Sequence, residues 1–187
     1  MTSTRETITL QADTLFYENG FEATSFGDIA KAVGISRGNF YHHFKSKDAI
    51  LDAVIELRLA RTQTMLDNWS AEADPQERIL SFVRILITNQ SKIMAFGCPV
   101  GTLSSELAKL EHAAHPRAVE VFDLFKTWLV TQFTALGHGD KAKDHALHVL
   151  GRSQGVAVMA AAYQDPDFVQ AEVDALEAWL NTLTPHN

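Results

Sequence analysis

Apolar residues recur along this chain at helical rather than strand spacing almost throughout. Ile8, Ala12, Leu15 and Phe16 fall at i, i+4, i+7 and i+8, one face of a helix. Gly20 then supplies a left-handed stop. Ser25, with Asp28 three residues on, forms a capping box that opens a second helix carrying Ile29, Ala30 and Val33. Gly34 ends that helix, Ser36 caps a third, and Phe40 and Phe44 share one face of it. Ser46 starts a long amphipathic run from Lys47 to Trp69. Pro75 fits the first turn of a helix reaching Phe96. Gly97, Pro99 and Gly101 mark a turn before a short helix over Leu103 to Leu110. Pro116 starts the next helix, where Val121, Phe122, Phe125, Trp128, Leu129 and Phe133 cover more than one side, as in the middle of a bundle. Gly137-His138-Gly139 is a loop. Two helices complete the chain, Lys141 to Tyr163 and, past Asp165-Pro166, on to Leu183. The pattern predicts an all-α fold of about nine helices, without repeats.

Composition changes this picture in one respect. The 187 residues are 46% hydrophobic and 21% charged, ordinary for a folded protein. A net charge of −7 argues against nucleic acid until its distribution is considered. Residues 31–47 hold Lys31, Arg37, Lys45 and Lys47, add His42 and His43, and contain no acid. A confined basic stretch on an acidic body still presents an electrostatic footprint for phosphate. The single cysteine, Cys98, excludes an intrachain disulfide. No apolar run suits a signal peptide or reaches the ~20 residues a membrane helix needs, so a cytoplasmic protein without a membrane partner is expected.

Catalytic signatures are missing. There is no Gly-rich phosphate loop, nucleophile elbow or H-E-x-x-H, and Glu106 and Glu111 read as scattered surface acids. His145 with His148, and His112 with His115, lack the further ligands a zinc site requires. Neither an enzyme nor a metal or cofactor is expected.

Residues 25 to 47 carry the function. A helix, a tight turn at Val33-Gly34-Ile35 and a second helix capped by Ser36 make a helix-turn-helix. Burial of Ile29, Ala30 and Val33 fixes the second helix at a steep angle, so its N-terminal residues can meet base edges in the major groove. Arg37 and Asn39 can donate there, and Gly38 lets the backbone come close. Tyr41, His42 and His43 extend the polar side while Phe40 and Phe44 turn inward. Lys47 adds a cation at the next helix N-terminus, where backbone N–H groups already favour phosphate.

The run FYENGFEATSFGDIAKAVGISRGNFYHHFKSKDAIL resembles the DNA-binding head of the TetR (tetracycline-repressor) family. The matching features are G-F/Y-x-x-T/S near Gly20, I-A-x-x-x-G at Ile29 to Gly34, and G-x-F/L-Y-x-H-F-x-x-K at Gly38 to Lys47. The resemblance implies a helix-turn-helix domain over 1–48 and an effector-binding, dimerisation domain over 49–187. It further implies a homodimer whose heads read a palindromic double-stranded operator and let go when a small molecule binds the body. Ser36, Arg37, Gly38, Asn39, Tyr41, His42, His43 and Lys47 are the implied DNA contacts, with Ser25 beside them. His42 and His43 point about 100° apart, and the sequence does not choose between them.

The same resemblance places an apolar or aromatic effector among the aromatic residues of the body, with Trp69, Phe82, Phe96, Cys98, Phe125 and Trp128 as candidates. Gly97-Cys98 through Leu103 to Glu106 resembles a G-C-x-x-x-x-L-x-x-E segment of one family branch, some members of which sense electrophiles or oxidants. The competing role for Cys98 is packing, the usual fate of a free cysteine. Val169, Val173, Leu176, Leu180 and Leu183 form an apolar seam. With Gly151, Gly155 and Ala160 to Ala162 in the preceding helix, it suggests a subunit interface built from the last two helices. The alternative is a seam packed within its own chain. A DNA-binding protein without ligand control is the rival function, and a body nearly three times the length of the head argues against it.

Overall fold

A computed structural model of the protein describes residues 3–183, with Arg37 described by its backbone alone. The described residues form α1 (Thr4–Asn19), α2 (Phe26–Val33), α3 (Arg37–His43), α4 (Lys47–Trp69), α5 (Pro75–Thr88), α6 (Gln90–Phe96), α7 (Pro99–Lys109), α8 (His115–Ala135), a 3-10 turn (Gly139–Lys141), α9 (Ala142–Tyr163) and α10 (Pro166–Leu183). All described regular structure is helical, as the spacing predicts. One helix expected from Pro75 to Phe96 is two, divided at Asn89, whose φ of −107° and ψ of 14° leave the helical region. Asparagine competes for backbone groups and is a weak helix interior. The helix expected from Leu103 starts four residues earlier, at Pro99, because proline suits a first helical turn.

Most start and stop signals act as their chemistry requires, but Gly20, expected as a left-handed stop, ends α1 at φ 90° and ψ 157°, outside the left-handed helical region. Ser3 with Glu6 and Ser25 with Asp28 are complete capping boxes. Gly34 sits in the left-handed region at φ 73° and passes its N–H to carbonyls of the last turn of α2.

The described chain packs as two compact units, residues 1–61 with 99–121, and residues 62–98 with 122–187. Packing therefore divides the molecule elsewhere than the motif-based line after residue 48. The core of the first unit joins Ile8, Ala12, Phe16, Phe21, Ile29, Phe40, Phe44, Ile50, Leu51 and Val54 to Leu103, Leu107, Ala114 and Ala118 from far along the chain. A 48-residue head is too small to bury much apolar surface alone, and these later residues complete its core.

In the second unit, α10 packs on α5 and α9. Val169, Val173, Leu176 and Leu180 are all buried inside the chain, so the seam is an internal one and does not supply the subunit interface expected of it. Arg84–Glu177 (2.8 Å) and Arg152–Glu172 (2.6 Å) flank it. The glycines of α9 are not explained by packing among the described residues. Among the described residues, a Cβ built on Gly151 or Gly155 meets nothing within 4 Å. Among the described residues, no helix is long and apolar enough to cross a membrane.

Two polar features lie buried inside the units. Arg58 is 8% exposed; its Nε donates to Asp13 Oδ1 (2.7 Å) and its Nη1 to the Pro99 carbonyl (2.6 Å), while Arg61 Nη1 reaches Asp13 Oδ2 (3.0 Å). Asp13→Ala strands a buried guanidinium, so denaturant unfolding should show a loss of roughly 3 kcal/mol, the low end for a broken buried pair because the Pro99 carbonyl remains. In α9, the His145 ring lies 5.2 Å from that of His138, and the Nε2 of each is buried without a hydrogen-bond partner. Burial pushes the His145 imidazole below its ordinary 6.5; His138, Lys141 and His148 act in the same direction and Asp144 opposes them. Below 6.5 the unfolded chain then binds more protons than the folded one, so this contribution is complete above 6.5 and is lost as pH falls. The melting temperature should drop from about pH 8 to about pH 5, with a shallower drop in His145→Phe; equal slopes would contradict the assignment.

Candidate nucleic-acid interface

The helix-turn-helix is built from both ends of a seven-residue helix. At the start of α3, Ser36 Oγ accepts from the Asn39 N–H (3.3 Å). At its end, Arg5 Nη1 from α1 donates to the His43 carbonyl (2.6 Å), its guanidinium lying 4.0 Å from the centre of the Phe44 ring. A cation there suits the negative end of the helix. Phe40 and Phe44, each 1% exposed, form the underside. That burial decides what the opposite flank can do.

Ser36, Gly38, Asn39, Tyr41 and His42 are all exposed on α3, with Lys45 just beyond it. Gly38 has open space where a Cβ would stand. Tyr41, 48% exposed, stacks on Phe26 of α2 at 5.5 Å with its hydroxyphenyl ring 23° from parallel. The two rings help line a hollow of about 250 Å³, with Ser25, Gly27, Ala30 and Phe40. His42 is exposed and His43 half-buried, a difference the sequence leaves open. Arg37 opens α3, and its side chain lies outside the described residues.

Ser25 is exposed at the start of α2, where its hydroxyl donates to Asp28 Oδ2 (2.6 Å) and accepts from the Asp28 N–H (3.2 Å). Hydrogen bonds from the Ser25 hydroxyl and backbone hold the Asp28 carboxyl below the usual range; desolvation opposes them and Lys31 assists. Lys47 is differently placed. Its Nζ donates to the carbonyls of Phe21 (3.0 Å) and Glu22 (3.2 Å), lies 3.8 Å from the Glu22 carboxylate and stands 4.3 Å from the centre of the Phe21 ring. The ammonium is thus engaged by the head itself.

Of the effector candidates, four rings come together in the second unit: Trp69 with Phe82 (6.5 Å), Trp69 with Trp128 (5.7 Å) and Phe82 with Phe125 (5.4 Å). Trp128 Nε1 donates to Ser70 Oγ (2.8 Å). Phe96, 37% exposed, ends α6, and half-buried Cys98 lies just ahead of α7.

Sequence reasoning missed Arg5 and Glu106. The Glu106 carboxylate accepts the N–H of Phe21 at Oε2 and that of Glu22 at Oε1, both at 2.9 Å and across more than 80 residues. An acid beside buried Leu107 hints at a half-buried position, but nothing local names its partner.

Residues 8–54 match the family model described as "Bacterial regulatory proteins, tetR family". An uncharacterized HTH-type transcriptional regulator in the lacX 3' region of Lactococcus lactis subsp. lactis is 26% identical over 180 residues, covering 94% of this chain and 92% of the relative. The HTH-type transcriptional repressor DhaR of Mycobacterium sp. (strain GP1) is 24% identical over 124 residues, 65% of this chain and 61% of that one. A TetR transcriptional regulator from Legionella pneumophila shares the fold with a TM-score of 0.85 over 99% of both chains at 23% identity. The head is thus similar in sequence to the tetR family model over residues 8–54, and the whole chain shares its fold with TetR regulators of known structure.

Proposed function

We propose that the protein is a ligand-responsive repressor that reads a palindromic operator with α3 and releases it when an apolar or aromatic small molecule binds the body. One observation carries this reading: a short helix with a buried aromatic underside and a polar outer flank, flanked by lysines and free of acids. Asn39, Tyr41 and His42 are assigned to base edges, with Arg37 on the same helix. Ser25, Ser36 and the Gly38 backbone are assigned to phosphates, and His43 has a lesser share because it is half-buried. The cluster of Trp69, Phe82, Phe125 and Trp128 is the proposed effector region, with Phe96 and Cys98 kept as further candidates.

Dimerisation is assigned chiefly to α9. Leu147, Gly151, Gly155, Val158 and Ala162 recur at i, i+4, i+8, i+11 and i+15, and all are exposed. Val158 is 67% exposed and Tyr163 68%. An uncovered apolar strip containing two unobstructed glycines fits close approach by a second copy, with α10 contributing small residues at Ala171, Ala175 and Ala178. An oxidant or electrophile input at Cys98 is a second branch of the reading. It is favoured by the thiol's place eight residues before Glu106, the side chain that grips the head.

A duplex selected from a random pool by the wild-type protein provides the operator. Asn39→Ala and Tyr41→Ala should each weaken binding to it by about 1–3 kcal/mol in a mobility-shift titration, as for lost base contacts. Unchanged affinity in both would remove the recognition assignment. Leu147→Glu with Val158→Glu should sediment as a monomer and lose operator binding; a dimer with full affinity would place the interface elsewhere. Cys98→Ser that still releases DNA on treatment with hydrogen peroxide or an electrophile would eliminate the thiol branch alone.

A further inference from the structure

The turn between α1 and α2 is held at the same two residues from opposite sides. On one side, Glu106 of α7 takes the backbone N–H groups of Phe21 and Glu22. On the other, Lys47 at the start of α4 supplies N–H donors to the carbonyls of those residues. Each charged group meets the backbone polarity opposite to its own, and hydrogen bonds to ionised partners are roughly twice as strong as neutral ones. Gly20 is shaped to the grip: its φ is 90°, and a Cβ there would lie 3.1 Å from Glu106 Oε1. The Phe21 ring, 2% exposed, closes the centre, with Lys47 over its face and the His112 ring 5.2 Å away edge-on. His112 Nε2 lies 3.5 Å from Asp48 Oδ1, tying the chain after α7 to the start of α4.

The grip bears on DNA reading because the turn runs directly into α2. Thr24 Oγ1 donates to the Gly20 carbonyl (2.7 Å), and Ser25 caps α2 immediately afterwards. No flexible spacer separates the gripped residues from the first helix of the helix-turn-helix, and α2 packs on α3. A small rotation at Phe21 and Glu22 therefore changes where the outer flank of α3 points.

We propose that Glu106 is a positioning residue for operator recognition, with Lys47 as the opposing jaw rather than a phosphate ligand. The pair sets the stance of α2 and α3 without touching DNA. Resting on the operator-reading function, this gives residues 99–112 a defined handle on the recognition helix.

The test uses the full-length protein, the duplex selected by the wild type and a scrambled duplex of equal length. Selection of a duplex by the wild type tests the regulator reading, and the variants test only the grip. Glu106→Gln keeps the size but sets an amide N–H against one backbone N–H. In protein kept well below its melting temperature, preference for operator over scrambled duplex should fall about tenfold or more, the scale of a lost charge-assisted hydrogen bond, with scrambled binding little changed. Glu106→Asp, which retains the carboxylate, should recover part of that preference and serves the same comparison if Glu106→Gln does not fold. Lower thermal stability with full operator preference in the folded variant would mean Glu106 is merely structural, and would overturn the proposal. Lys47→Met should weaken operator binding while leaving the dependence of log K on log salt unchanged; a slope reduced by about one per head would make Lys47 a phosphate contact and remove the second jaw.

Discussion

Phe40 and Phe44 set the constraint on which the proposed recognition depends. A helix of seven residues is far below the length at which helices persist in water, so α3 owes its existence to the core its underside touches. Burying two phenylalanine rings contributes roughly 1.5–3 kcal/mol each and fixes rotation about the helix axis at once. With that rotation fixed, Asn39, Tyr41 and His42 have nowhere to point but outward. Ser36 at one end and Arg5 at the other satisfy helix-end groups, so the short rod is pinned along its length as well as around it.

The second level of support comes from outside the motif. Leu103, Leu107, Ala114 and Ala118 belong to the same apolar core as Phe40 and Phe44. Glu106, one residue before Leu107, adds the polar half of that attachment. The helix-turn-helix head is therefore not a self-contained piece of about fifty residues. It is a small core completed by a segment that comes directly after the effector candidates Phe96 and Cys98 in the chain. Buried Arg58 strengthens the arrangement by joining Asp13 of α1 to the Pro99 carbonyl at the start of α7.

The second unit has a different logic. Its α10 seam is occupied by α5 and α9, leaving α9 with an outer strip that none of the described residues covers. Sequence periodicity marked α10 correctly as amphipathic but could not say which protein surface its apolar side meets. The glycines of α9 raise the same ambiguity: their presence implies tolerance of close approach, yet the space beside them is open within the chain.

Helices, their caps and their stops were legible from residue order because they depend on neighbours three or four positions away. Ser25 with Asp28, Gly34, and the Phe40–Phe44 pair all behave as local chemistry dictates, and the TetR-like head emerges from their spacing. Tertiary structure alone decided the pairings across the chain: Glu106 with Phe21 and Glu22, Arg5 with the His43 carbonyl, the α10 seam with its own subunit, and His42 rather than His43 outward. An acid on an amphipathic helix carries no record of which distant backbone N–H it will meet, since only the packed core brings the two within hydrogen-bond reach.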